Sequence, residues 1–356
     1  MNALATARSF EVETAGIDLL GPNVVKLALL PTSGARARYL EGQYLSLKLP
    51  DGDARSYSYA TACAPDGRIE LHVRLHANGK FSEHLRHGLA LGDRLDAVGP
   101  YGDCIWRPTA REDDPILMLA TGTGIAPLKA MLDASLAKCS NPIWLYWGGV
   151  VESDLYIRDY FDALARRNPR FRFTPVLSDA DRNWSEARGF VQDIAGAQHG
   201  NLLDYHVYAC GAPVMVNAAQ ALFTERLGLD PDHFYADAFE VSSATTEGQN
   251  AQRVELSITR PDHPRARVDL PTGTSLMAAL RERQMIAGIC GGRQSCGTCR
   301  VTLSPAHFKR ITPPLRAEQR LLQALPRSGP FDRLSCQLPV GSELSNIHIT
   351  IPRETA

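Results

Sequence analysis

Short apolar runs broken by Gly, Pro and Asp fill the first hundred residues: Val24 to Leu30, Gln43 to Leu49, Arg55 to Thr61 and Ile69 to Leu75. Runs of this length, with turn residues between them, predict the strands of a small antiparallel barrel or sandwich. One helix is expected among them, from Ser82 to His87. Near Arg107 the pattern changes. Ile116 to Ala120 is apolar at every position, as a strand covered on both faces is. Strands are then expected at Ile143 to Trp147, Phe171 to Leu177 and His206 to Cys210. Helices are expected at Leu128 to Ala137, Tyr156 to Arg167 and Pro213 to Arg226. Such alternation predicts a doubly wound α/β sheet. Residues 242–252 are small, polar and aperiodic and read as a linker. Beyond them, Val254 to Ile258 and Arg267 to Leu270 predict a hairpin, and Ser275 to Arg283 a helix capped by Thr274 or Ser275.

Composition adds bounds. The 356 residues are 44% hydrophobic and 22% charged, enough to bury several cores. No apolar run is long enough for a transmembrane helix, and Met1 to Thr14 lacks the apolar stretch of a signal peptide, so a cytoplasmic protein without a membrane partner is expected. The net charge of -1 argues against nucleic-acid binding. Charge is unevenly divided: from Arg253 onward there are 15 Lys/Arg against 8 Asp/Glu, which predicts separate domains.

Three of the eight cysteines fall within ten residues. Five residues separate Cys290 from Cys296, two separate Cys296 from Cys299, and 36 separate Cys299 from Cys336. Three thiolates on one tight loop with a distant fourth suit a [2Fe–2S] cluster, and Gly291, Gly292 and Gly297 allow backbone N–H groups close to it. A structural zinc site would usually have two Cys-x2-Cys knuckles, and here there is one. Gly288 to Arg300, with Arg333 to Gln337, resembles a [2Fe–2S] ferredoxin, with spacing nearer the adrenodoxin-like class than the plant type. That class usually has an acidic face, whereas this segment is net positive, with Arg293 and Arg300 at the cluster loop. An acidic patch on the acceptor, or contact with the acidic remainder of the chain, is the expectation.

Arg55 and Tyr57 share one face of a predicted strand, Ser56 and Ser58 the other. Gly79-Lys80-Phe81-Ser82 opens a helix, Glu41-Gly42-Gln43-Tyr44 precedes the strand, and Gly99-Pro100-Tyr101-Gly102 closes the β region. Ala120 to Pro127, with Thr121, Gly122, Thr123 and Gly124, stands between a buried strand and a helix, where a phosphate-cradling turn belongs. Cys210-Gly211 ends a later strand, at the edge where ligands of such sheets sit.

From about Ser9 to Glu240 this set resembles the ferredoxin–NADP reductase superfamily. The resemblance implies three modules: a flavin-binding β-barrel (1–106), a nicotinamide domain (107–241) and, after the linker, a β-grasp-like ferredoxin domain (253–356). It implies that Tyr57 stacks on the flavin ring, that Ser58 sits near its N5, and that Arg55 and Arg74 pair with phosphate. Gly79, Ser82 and their helix would hold a pyrophosphate, favouring FAD, with FMN open. Cys210 would lie beside the nicotinamide, and Phe239 and Glu240 on the flavin's other face. Asp179, after the Phe171 to Leu177 strand, predicts NADH over NADPH, because a carboxylate repels a 2′-phosphate. The expected function is oxidation of NADH and single-electron delivery to a terminal oxygenase component, most simply a Rieske non-haem iron oxygenase. Other acceptors (a hybrid-cluster protein, a diiron monooxygenase, a deoxysugar dehydratase), a redox-sensing module and a zinc-stabilised binding protein are the alternatives.

Overall fold

A computed structural model describes residues 7–32, 38–50, 53–77, 79–239, 253–261, 263–272, 274–286, 288, 292, 297–314, 316–325 and 327–353. The chain divides into two compact units, Met1–Phe239 and Glu240–Ala356.

The first unit begins with six strands: β1 (Arg8–Gly21), β2 (Val24–Pro31), β3 (Tyr44–Lys48), β4 (Ala54–Ser58), β5 (Ile69–Arg74) and β6 (Arg94–Tyr101). Helix α1 (Lys80–His87) precedes β6. The strands form one antiparallel sheet in the order β4-β3-β6-β1-β2-β5. Its two edges meet where Tyr59 bridges Leu71 and Ala60 N–H donates to Glu70 O at 2.8 Å, closing a barrel. Alternate side chains fill it. Leu27, Leu45, Leu47 and Leu71 are wholly buried, each contributing about 1.5–3 kcal/mol relative to exposure.

A second sheet follows in the same unit: β7 (Ile116–Thr121), β8 (Ile143–Gly149), β9 (Phe171–Leu177), β10 (Ala187–Arg188), β11 (His206–Gly211) and β12 (Phe234–Ala238). All its pairings are parallel, in the order β10-β9-β8-β7-β11-β12. Helices α2 (Ile125–Ser135), α3 (Arg158–Arg167), α4 (Val191–His199) and α5 (Pro213–Glu225) connect the strands. Ile116 to Ala120 is buried throughout, as its unbroken apolar run requires. The strand order reverses between β7 and β11. The carboxyl ends beside such a reversal are the usual ligand position in these sheets.

The second unit is a mixed five-stranded sheet of β13 (Arg253–Arg260), β14 (His263–Pro271), β15 (Arg300–Leu303), β16 (Asp332–Leu334) and β17 (His348–Thr350), in the order β14-β13-β17-β15-β16. Helix α6 (Leu276–Glu282) is capped by Ser275, whose Oγ accepts from Ala278 N–H at 3.2 Å. It packs against the 3₁₀ turn Ser335–Gln337. Helices α7 (Pro305–Phe308) and α8 (Arg316–Ala324) lie between β15 and β16. The expected fold class holds: an antiparallel barrel, a parallel α/β sheet and a grasp-like ferredoxin fold. The expected linker, 242–252, lies outside the described residues.

Candidate functional site

The carboxyl ends of β7 and β11 are locked together by glycines. Thr121 leaves β7 and the chain turns at once through a 3₁₀ turn, Gly122–Gly124, into α2. A Cβ on Gly124 would stand 2.1 Å from Cys210 O, and one on Gly211 (φ +134°) 2.4 Å from Thr121 Oγ1. No larger residue fits at either position without moving backbone. Ala212 N–H donates to Thr121 Oγ1 at 2.9 Å, and Phe239 N–H donates to Gly211 O at 2.7 Å. Thr121, Gly122, Thr123, Gly124, Cys210, Gly211 and Phe239 are therefore one assembly. Short glycine turns at a helix start leave N–H groups facing outward, the arrangement that suits a pyrophosphate.

The barrel contributes Arg74, at the end of β5. Its Nη2 lies 3.0 Å from Asp154 Oδ1, and a Cβ on Gly122 would lie 3.2 Å from its Nη1. Trp147 Nε1–H donates to Gly122 O at 3.0 Å, fixing the turn from below. Asp179 lies apart from this cradle, exposed beyond β9, where its N–H donates to Val150 O at 3.0 Å. Arg188, which reaches the same loop, gives its guanidinium to the carbonyls of Ala180, Asp181 and Trp184 at 2.6–3.0 Å.

Sequence reasoning overlooked Cys104. It is buried, and its sulfur lies 3.8 Å from that of Cys210. The thiol hydrogen bond to Cys210, together with burial, pushes the Cys104 thiol well above its ordinary range, so it stays protonated. Gly42 (φ +100°) holds Cys104 in place: a Cβ there would lie 2.0 Å from Cys104 O. No spacing rule announces a contact across 106 positions.

On the barrel, Arg55, Tyr57 and Ser58 sit on β4, opposite Leu47, Leu45 and Tyr44 of β3. Arg55 Nη1 approaches Asp53 Oδ2 at 2.8 Å, and Lys80 Nζ approaches the same oxygen at 3.7 Å. Arg55 and Lys80 thus come together at the start of α1, cationic groups of the kind that fit a flavin phosphate. The Tyr57 ring packs 5.1 Å from that of Phe81. Gly79 caps α1 with extended backbone. Ser82 is buried, its Oγ accepting from His76 N–H at 2.9 Å, so its hydroxyl braces the loop that leads into α1. Glu240 lies outside the described residues.

In the second unit Cys299 precedes β15, and Cys336 follows β16 in a 3₁₀ turn. Pairing of Arg300 with Leu334 brings the two turns together, and Ser335 N–H and Oγ–H both donate to Cys299 O at 3.0 and 2.7 Å. The Cys299 and Cys336 sulfurs are buried and 3.5 Å apart. That is close to the ~3.8 Å separating two thiolates on one tetrahedral metal with ~2.3 Å bonds, and the pair fits a shared iron. Gly297 (φ +69°) has Leu325 Cδ1 where a Cβ would be, at 2.4 Å. Arg300 turns in toward Asp332 at 3.8 Å, its side chain only 14% exposed, which leaves it little surface for steering a partner. Cys290, Gly291, Arg293 and Cys296 lie outside the described residues.

Three known families match successive parts of the chain. Residues 18–106 match the family described as Oxidoreductase FAD-binding domain, 118–221 Oxidoreductase NAD-binding domain, and 260–341 2Fe-2S iron-sulfur cluster binding domain. The CDP-6-deoxy-L-threo-D-glycero-4-hexulose-3-dehydrase reductase of Yersinia pestis is 36% identical over 234 residues, 65% of this chain and 69% of its own length. The terephthalate 1,2-dioxygenase reductase component 1 of Comamonas sp is 34% identical, over 63% of this chain and 66% of its own. A cytochrome P450 reductase of Amycolatopsis superposes with a TM-score of 0.60 at 30% identity, covering 65% of this chain and 70% of its own. The protein is an NADH-dependent flavin and iron–sulfur oxidoreductase that binds FAD and a [2Fe–2S] cluster. The chain belongs to the ferredoxin–NADP reductase superfamily of flavoproteins, joined here to a [2Fe–2S] ferredoxin domain.

Proposed function

We propose that this protein is the reductase component of a multicomponent oxygenase, passing single electrons from NADH to a Rieske non-haem iron partner in the cytoplasm. One chain carries both a glycine turn packed against the end of β11 and two buried thiols 3.5 Å apart, and that observation supports the reading. The reductase names among its relatives, terephthalate 1,2-dioxygenase above all, support the partner class.

In this reading the flavin barrel spans 1–106, the nicotinamide domain 107–241, the linker 242–252 and the ferredoxin domain 253–356. The N–H groups of Thr123 and Gly124 hold the dinucleotide's pyrophosphate. Asp179 accepts a ribose hydroxyl and repels a 2′-phosphate. Cys210 and Gly211, packed against Gly124, would seat the nicotinamide. Arg55, Lys80 and the start of α1 hold flavin phosphates, with Arg74 beside the nicotinamide turn. Tyr57 and Ser58 of β4 would contact the flavin ring, and Phe239 and Glu240 would complete its surroundings. FAD, when bound, accepts an electron pair and releases it singly, which places it between NADH and a one-electron cluster. Cys290, Cys296, Cys299 and Cys336 ligate that cluster.

A second reading has a specific observation behind it: the relatives of highest identity reported above include a hexulose dehydrase reductase. Stopped-flow mixing separates the two. NADH-reduced protein is mixed with an oxidised terephthalate-type dioxygenase component and, separately, with a CDP-hexulose dehydrase. The Rieske reading expects reoxidation by the dioxygenase at least about tenfold faster. Equal rates, or preference for the dehydrase, overturn it.

A further inference from the structure

The residue after Cys336 folds back onto its sulfur. Gln337 Nε2 lies 3.3 Å from Cys336 Sγ and 3.4 Å from the backbone O of Gly292. Gly292 stands 45 positions earlier in the chain, with φ of +94°. A carboxamide nitrogen carries two N–H donors, so both acceptors can be served at once. Gln337 is half-buried and the sulfur is buried, so water competes weakly for the contact. The amide thus spans the Cys336 turn and the cysteine loop, which only the folded chain brings together.

We infer that Gln337 is a positioning residue for electron transfer: its N–H raises the reduction potential of the [2Fe–2S] cluster through the sulfur of Cys336. The inference rests on Cys336 being a cluster ligand. Adding one electron increases the negative charge on the ligand sulfurs. A donor dipole aimed at one of them stabilises the reduced form more than the oxidised form. A raised potential makes the cluster a better acceptor from the flavin and a weaker donor to the partner, so Gln337 sets where the downhill step falls. A side chain that only filled space would leave the potential unmoved when replaced by an apolar residue of similar size.

The test uses the holoprotein with Gln337, Gln337→Leu and Gln337→Met. Iron content is measured, and the cluster is titrated electrochemically while its paramagnetic resonance signal is followed. With iron retained, the reduction equilibrium of both variants is expected to shift toward the oxidised form by at least threefold, about 28 mV at 59 mV per tenfold. Iron-loaded variants whose equilibrium moves less than about 1.5-fold overturn the inference. Should Gln337→Leu lose iron, Gln337→Glu keeps the shape and puts an acceptor where the donor was. Its shift in the same direction supports the role, and an unmoved potential overturns it. Cys336→Ser separates the underlying assignment: an unchanged cluster spectrum there means Cys336 is no ligand. A changed spectrum with unmoved Gln337 variants confines the failure to Gln337.

Discussion

The thiols of Cys104 and Cys210 meet at 3.8 Å inside the reductase unit, one from the segment leaving the flavin barrel and the other from the end of a nicotinamide-domain strand. The barrel and the strand end are thereby registered through two sulfur atoms, with Gly42 pressing on Cys104 and Gly124 on Cys210. Replacing Cys104 with Ala leaves a small void, costing about 1 kcal/mol of stability, and frees the Cys210 thiol to take other rotamers. Flavin reduction by NADH is expected to slow about three- to tenfold in Cys104→Ala while dithionite reduces the flavin normally. An unchanged NADH reduction rate would show the pair to be packing only.

Gly124→Ala is expected to damage the nicotinamide site specifically. The added methyl would lie 2.1 Å from Cys210 O, a backbone atom, so the β11 end must move. The KM for NADH should rise at least tenfold, about 1.4 kcal/mol of binding, with FAD content unchanged. Steady-state kinetics beside a flavin-to-protein ratio measures both. Normal KM in a flavin-replete variant would place the dinucleotide elsewhere.

Nucleotide preference should follow the loop after β9. Asp179 is exposed there, and Arg188 is committed to three carbonyl groups. NADH is expected to exceed NADPH in kcat/KM by at least about tenfold, roughly 1.4 kcal/mol. Asp179→Arg should narrow or invert that ratio. A ratio near one in the native protein, or an unmoved ratio in the variant, counts against this placement.

The reach of sequence reasoning varied with how local the signal is. The α/β sheet was legible because Ile116 to Ala120 and its companions are continuous apolar runs. Strand β1 holds no continuous apolar run: buried Val12 and Thr14 alternate with Glu11 and Glu13, a half-buried pattern that a reading by apolar runs passes over, and Leu19 stands 74% exposed. Helix α4 was passed over for a different reason. Gly196 lowers its helical propensity, yet a Cβ there would crowd Leu222 at 3.1 Å and Leu227 at 3.2 Å, so close helix packing selects glycine. Helix α8 hides its inward face behind a charge: Glu318 is buried against Arg333, at 2.8 Å, and accepts from Leu334 N–H at 2.7 Å. At the sites, cysteine spacing and glycine turns could be read directly. Cys104 could not, because Cys210 reaches it only through the fold, and Gln337 could not, because only the folded turn aims its amide at the neighbouring sulfur and at Gly292.

Acid should weaken the reductase unit as the pH falls below about 6.5. His72 is buried between Tyr156 OH at 3.0 Å and Glu70 Oε1 at 3.1 Å, and burial lowers its pKa below the usual 6.5 despite Glu70. Burial lowers His199 and His206 in the same direction. These imidazoles stay neutral in the fold while the unfolded chain takes up protons below about 6.5. Stability is therefore full above that pH and falls as pH drops toward the folded-state values. Thermal unfolding between pH 8 and 5 should show a level midpoint above about 6.5 and a decline below it, shallower in His72→Gln. A midpoint that rises on acidification over this range contradicts the assignment.

The route from NADH through flavin to cluster is tested most directly by anaerobic stopped-flow absorbance of native protein and Cys336→Ala after mixing with NADH. Both proteins are expected to bleach the flavin at similar rates. Only the native protein should then reduce its cluster and pass electrons on to cytochrome c, while a small dye acting at the flavin is reduced by both. A Cys336→Ala protein that keeps its iron and reduces cytochrome c at the native rate would contradict the account.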